Sequence, residues 1–307
     1  MTVPGSWTLD ALVEAYQQHQ RRTRGLRDQT LLNYTRFVRL LIRAAMGDDP
    51  IDPRRLGPPD VIQFVRAMTG RFAAGSMRAV GTALRSFFRF LRAEGVGHER
   101  LDAVIPAVAH WRFSTLPRCL SEAQLAQVLA SHDASTPCAR RDHAIVRCLA
   151  TLGLRPGEVA ALQLEDIDWR QGTLQLRTRK TRRGAVLPLP REAGRAIVNY
   201  LRRERPATAE RRVFVQHRGR HRGAPLSSHS VTTAVARTLH RAGIQTPLTG
   251  ASVFRHTLAS RLVRRGTPLK EVADLLGHRR LDTTTIYAKL DLPALCEVAL
   301  PWPEVPR

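Results

Sequence analysis

Arg155, Arg255, His278 and Tyr287 stand in short motifs in the second half of the chain: Gly153-Leu154-Arg155-Pro156-Gly157-Glu158-Val159, Phe254-Arg255-His256-Thr257-Leu258-Ala259-Ser260, Leu275-Leu276-Gly277-His278 and Thr284-Thr285-Ile286-Tyr287-Ala288. Such a set suits phosphoryl transfer. A phosphate in transfer asks little of a protein beyond a nucleophile, but the charge growing on its non-bridging oxygens has to be neutralised. A guanidinium is a planar fork that stays charged, which makes Arg155 and Arg255 the candidates for holding phosphate oxygens. Tyr287 is the candidate nucleophile, because attack on a backbone phosphate stores the bond energy as a phosphotyrosine and allows religation without a nucleotide cofactor. The sequence holds no Walker-type glycine loop and no acidic metal cluster, so neither a cofactor nor a metal is expected. Each residue also has a plainer reading. Arg155 can form a surface ion pair with Glu158 one turn on, and a tyrosine on an amphipathic helix ordinarily belongs to a core.

The elements that must position these residues fall into two groups. Residues 1–105 read as four helices with apolar residues at helical spacing, beginning at Thr8, Asp28, Pro58 and Ser76 and stopping at glycines such as Gly70 and Gly95. This predicts a small all-α domain. Its helices carry Arg36, Arg39, Arg43, Arg78, Arg85, Arg89 and Arg92, which form either solvated faces or a track for a DNA backbone. Residues 106–117 have weak periodicity and read as a linker, and residues 118–307 form a larger domain. There, helices from Ser121 and Cys138 lead to two short alternating strands, Thr173-Leu174-Gln175-Leu176 and Ala185-Val186-Leu187-Pro188, joined by a basic turn that contains Lys180. Helices resume over 191–204, 228–241, 254–265 and 269–276, with a final pair around Tyr287 and Leu295. The expected fold class is mainly α with a small antiparallel sheet: a four-helix domain followed by an α+β domain.

Composition bounds the partner. The 307 residues carry 49 Lys+Arg against 26 Asp+Glu, a net charge of +23, which calls for a polyanion such as nucleic acid. Only Lys180, Lys270 and Lys289 are lysines, so the basic surface is one of arginine forks suited to phosphate. Cys119, Cys138, Cys148 and Cys296 form no CxxC pair, which speaks against a zinc site or a disulfide framework. Neither a signal-like start nor a long apolar run occurs. A cytoplasmic protein that does not engage the membrane is expected.

The motifs resemble those of the tyrosine recombinase (phage integrase) family in order and spacing, with Tyr287 nine residues after His278. The resemblance covers essentially the whole chain, since the N-terminal piece is similar to the family's core-binding domain. It implies a site-specific recombinase that cleaves and rejoins DNA through a 3′-phosphotyrosine. It further implies that Lys180 protonates the leaving 5′ oxygen and that His278 bonds the scissile phosphate or the nucleophile. Inverted-arm recombination sites on double-stranded DNA, a monomer or dimer off DNA, a homo-tetramer in synapsis and an accessory or sister recombinase also follow from it. A softer likeness points to integrases of bacterial mobile elements. In one place the sequence departs from the pattern: the family's second arginine motif reads His-x-x-Arg, and here Ser252 stands where the histidine belongs. Serine cannot hold a proton near neutral pH, so a catalytically weakened DNA-binding relative is an alternative reading, and a type IB topoisomerase a third. On the same ground Ser252→His is expected to raise cleavage. His256 is not expected to stand in, because a neighbour of Arg255 on a helix points about 100° away. The tail, residues 291–307, reads as a short amphipathic helix that docks on its own domain or on a neighbouring subunit.

Overall fold

Helix α1 (Leu9–Arg24) begins where the Thr8 hydroxyl accepts from the Ala11 amide at 3.2 Å and ends where Gly25 turns left-handed at φ 56°. A Ser/Thr cap and a left-handed glycine are the usual start and stop, because both satisfy backbone groups that the helix leaves unpaired. Helices α2 (Asp28–Met46), α3 (Pro58–Thr69) and α4 (Ala74–Ala93) follow, and the Asp60 carboxylate accepts from the Gly57 amide at the start of α3. Their apolar stripes meet in one core around Tyr16, Val38, Leu41, Leu84 and Phe87, with Tyr16 set edge-on to Phe87 at 5.5 Å. A fifth helix, α5 (Leu101–Val104), is too short to show a period in the sequence. Arg85 fastens the chain just beyond it by donating to the carbonyl of Ile105 at 2.8 Å. Arg39 likewise pairs with Asp10, and Arg92 with Asp102, so part of the arginine set of α2 and α4 is engaged within the protein.

The computed structural model describes residues 7–47, 50–96, 100–107, 117–131, 138–177, 184–244, 250–278 and 283–290. The chain divides into two compact units, Met1–Arg112 and Phe113–Arg307. In the second unit α6 (Glu122–Ala130) opens on a reciprocal cap between Ser121 and Gln124. Next comes α7 (Ala139–Leu152), which runs through the core. Around it pack α9 (Arg191–Arg203), α10 (Ser228–Arg241) and α11 (Ser252–Arg264), burying Ala144, Ile145, Cys148 and Leu149 completely. Asp142 on α7 lies buried between Arg141 and Arg237 at 2.9 and 2.8 Å, tying α7 to α10. Breaking such a buried pair typically costs about 3–5 kcal/mol, because one charge is left uncompensated.

Between these helices stand α8 (Pro156–Ala161) and an antiparallel sheet in the order β1 (Ile167–Asp168), β2 (Thr173–Leu176), β3 (Ala185–Pro188). Leu174 pairs with Ile167 on one side and Leu187 on the other, so one face is apolar and buried while Gln175 and Val186 stay exposed. The two-residue β1 could not be read from alternation. The arginine-rich stretch after Val215 is an ordered loop, closed by Gln216 N–H to the Ala224 carbonyl at 2.8 Å and Gly223 N–H to the Gln216 carbonyl at 2.7 Å. After α12 (Leu269–Leu276) comes a 3-10 helix, Thr285–Leu290, where a helix around Tyr287 was expected. The architecture is mainly helical with a small antiparallel sheet, as the sequence implied. Among the described residues no helix is long and apolar enough to cross a membrane.

Candidate active site

Three motif segments meet where α7 ends. Gly153 terminates α7 at φ 61°, a left-handed conformation that glycine adopts without steric cost. A Cβ there would lie 2.9 Å from Cδ2 of Leu276 and 3.0 Å from Cδ2 of Leu258, so the side-chain ends that α11 and α12 pack on the glycine would have to shift to admit a methyl group. The next turn places Arg155 at the start of α8. Its backbone N–H and its Nη1 both donate to the Glu158 carboxylate, at 2.9 and 2.8 Å. Glu158 thereby fixes the direction of the guanidinium, whose Nη2 points to the Gly277 carbonyl at 3.4 Å. The ion pair foreseen as the plain reading of Arg155 is therefore present, and a guanidinium has five N–H donors, more than these contacts use.

Arg255, 8% exposed on α11, joins the other two segments. Its Nη1 donates to the Gly153 carbonyl at 2.6 Å and its Nη2 to the carbonyl of Leu276, the last residue of α12. Both arginines thus face the C-terminal end of α12, whose partial negative charge favours cations. Gly277 then turns left-handed at φ 61° and delivers His278, whose Nδ1 lies 2.7 Å from Oγ1 of the buried Thr284. Burial, then Arg255, Arg155 and His256, push the His278 pKa down to about 4. At neutral pH it is an uncharged imidazole that positions by hydrogen bonds.

Tyr287 lies in the 3-10 helix, 2% exposed, packed with Ala259, Val263, Val272 and Leu276. Its Oη is 2.7 Å from Nδ1 of His256. Burial raises the phenol pKa to about 12, against a downward pull from Arg255. His256 is held below the usual histidine value by burial and by Arg255. Ser252 is exposed at the first position of α11, one turn before Arg255. Lys180 lies outside the described residues, in the connection between β2 and β3. The structure therefore brings Arg155, Arg255, His278 and Tyr287 into one cluster.

Sequence reasoning set His256 aside, where the structure puts it on the Tyr287 hydroxyl, named Glu158 only as a plain ion-pair partner of Arg155, and missed Thr284 as the partner of His278. A signal for His256 was present in its spacing from Ser252: positions i and i+4 of a helix share a face, so an imidazole at 256 lies close to the stripe of 252. Which side of α11 the Tyr287 turn would approach was not readable.

The sequence model described as the phage integrase family matches residues 118–292, and that of the phage integrase N-terminal SAM-like domain matches residues 13–95. The chain belongs to the phage integrase family. An integrase/recombinase of Sinorhizobium fredii is 42% identical over 291 residues, covering 95% of this chain and 70% of that protein. The tyrosine recombinase XerD of Listeria monocytogenes is 28% identical over 288 residues, covering 91% of this chain and 94% of the relative. As a member of this family the chain is a site-specific DNA recombinase of the tyrosine type. The fold agrees with that of solved recombinase and integrase structures. The XerH recombinase bound to its difH substrate in a post-cleavage complex superposes with a TM-score of 0.70 at 18% identity, over 94% of this chain and 83% of that one. A lambda integrase dimer bound to a core site gives 0.66 at 20% identity, over 98% and 99%.

Proposed function

We propose that this recombinase cleaves duplex DNA by attack of Tyr287 Oη on a backbone phosphate held by Arg155 and Arg255, with His278 as a neutral hydrogen-bonding partner. The Oη–P bond forms as the P–O5′ bond breaks, leaving a 3′-phosphotyrosine and a free 5′ hydroxyl. Lys180, by the resemblance, protonates that oxygen. The 5′ hydroxyl of a partner strand reverses the step, so no cofactor is consumed. One observation carries this reading: Arg255 bridges the Gly153 and Leu276 carbonyls, which draws the Arg155 and His278 segments to α11, the helix on which His256 meets the Tyr287 hydroxyl. The protein works in the bacterial cytoplasm on paired inverted arms, as a homo-tetramer in synapsis and a monomer or dimer off DNA, with an accessory or sister recombinase as a further partner. The Tn1549 transposon integrase among its structural likenesses supports a mobile-element setting. Domain limits of 1–105 and 118–307, joined by residues 106–117, belong to the same reading.

The test is covalent trapping on a nicked suicide duplex that carries the recombination site. The parent is expected to form a protein–DNA adduct, and Tyr287→Phe to form none while binding the site within a few fold. An adduct with Tyr287→Phe overturns the assignment.

A further inference from the structure

Resting on the reading of Tyr287 as the nucleophile, we propose that His256 is the base that takes the Tyr287 proton, supplying the imidazole acceptor that Ser252 cannot provide. The two groups are already in place. Nδ1 of His256 and Oη of Tyr287 are 2.7 Å apart, and the rings lie with centroids 5.8 Å apart in tilted contact. That separation is within the reach required of a general base. The phenol, raised by burial, is protonated at neutral pH, so its O–H donates to Nδ1 and the imidazole carries its own proton on Nε2. His256 is neutral there as well, since burial and Arg255 hold its pKa below the usual value.

The groups around this pair fit the transfer. Arg255 precedes His256 on α11 and lies within electrostatic reach of Tyr287, as does Cys119 in the segment before α6, while His278 at the end of α12 lies within such reach of His256. As the Oη–P bond forms and P–O5′ breaks, the phenol proton passes to Nδ1, giving an imidazolium. The departing 5′ oxygen takes its proton from a different acid, the part given to Lys180. In religation the imidazolium returns its proton to Oη as the 5′ hydroxyl attacks phosphorus. Arg255 disfavours a lasting imidazolium, so the proton rests there only while Tyr287 is bonded to phosphorus. Ser252, exposed and one turn earlier on the same helix, offers only a hydroxyl.

The experiment compares the parent with His256→Asn in single-turnover cleavage of the suicide duplex, with binding and melting checked separately. The asparagine amide keeps a hydrogen bond to Oη but cannot accept the proton. The variant is expected to cleave about a hundredfold or more slowly near neutral pH, with a rate that climbs steadily toward alkaline pH as hydroxide replaces the lost base. The parent rate is expected to be flat above neutrality and to fall in acid, where His256 protonates. A substrate with sulfur in place of the bridging 5′ oxygen, whose thiolate leaves unaided, is expected not to rescue the variant, because the defect lies on the attacking oxygen. Imidazole added in solution is expected to restore part of the rate of His256→Ala, a second variant that does not depend on the asparagine substitution. The inference is overturned if His256→Asn cleaves within a few fold of the parent, if it is slowed by the same factor at every pH, or if the thiolate substrate rescues it. Tyr287→Phe separates the two readings. If it forms an adduct, the nucleophile assignment and this inference both fall. If it forms none and His256→Asn is unimpaired, only the inference falls.

Discussion

Ser252 and His256 lie one turn apart on α11, and the exposed hydroxyl and the half-buried imidazole have different neighbours. From sequence alone, the missing histidine at 252 pointed to weakened catalysis. With His256 on the Tyr287 hydroxyl, the expected gain from Ser252→His shrinks. General acid-base help is typically worth about 10²–10⁴ in rate, and a site that already contains a base collects little of it twice. Ser252→His alone is therefore expected to raise single-turnover cleavage by less than about tenfold, and to raise it by a larger factor when added to His256→Asn. Equal factors in both backgrounds would mean that the two imidazoles act independently. Arg155, Arg255, His278 and Tyr287 were legible as candidates because their motifs resemble the family's in order and spacing. His256 was not, because its role depends on where the Tyr287 turn lies in space.

Among elements, the end of α7 has the largest say over the site. Its left-handed Gly153 sets the path into Arg155, and its carbonyl anchors Arg255. Gly153→Ala forces a side chain into a left-handed backbone, at about 1–2 kcal/mol, and makes the side-chain ends of Leu276 and Leu258 shift. A unit of this size is expected to lose about 2–4 °C in melting temperature for each kcal/mol. Cleavage by the variant should fall even where it remains folded, since Arg155 and Arg255 shift with the turn. A variant that melts and cleaves like the parent would contradict this close packing. The long amphipathic helices were readable from the sequence, whereas α5 and β1 were not, since elements of two to four residues are set by tertiary contacts rather than period. The 3-10 helix under Tyr287 belongs with them: apolar spacing there suggested a helix but not its tighter winding.

For the molecule as a whole, the net charge of +23 argues for binding dominated by phosphate neutralisation. Arg39, Arg85 and Arg92 hold partners within the protein, so the charge available to DNA is smaller than a count of arginines on α2 and α4 suggests. Surface pairs such as Arg39 with Asp10 are weak and exchange readily for phosphate. If six phosphates are neutralised, affinity for a duplex site is expected to fall about a thousandfold between roughly 50 and 200 mM salt. A nearly flat salt dependence would contradict a DNA-binding role for this surface. Composition made this property legible, because net charge is indifferent to fold.

The most direct measurement is to locate the DNA-linked residue itself. The adduct trapped on the suicide duplex is digested with nuclease and trypsin, and the nucleotide-bearing peptide is sequenced by mass spectrometry. The peptide running from Leu281 to Lys289 contains Tyr287 and none of Tyr16, Tyr34 or Tyr200. The expected result is a nucleotide 3′-phosphate on that peptide, at Tyr287. A nucleotide on Tyr16, Tyr34 or Tyr200, or a parent protein that binds its site and forms no adduct, would contradict the account.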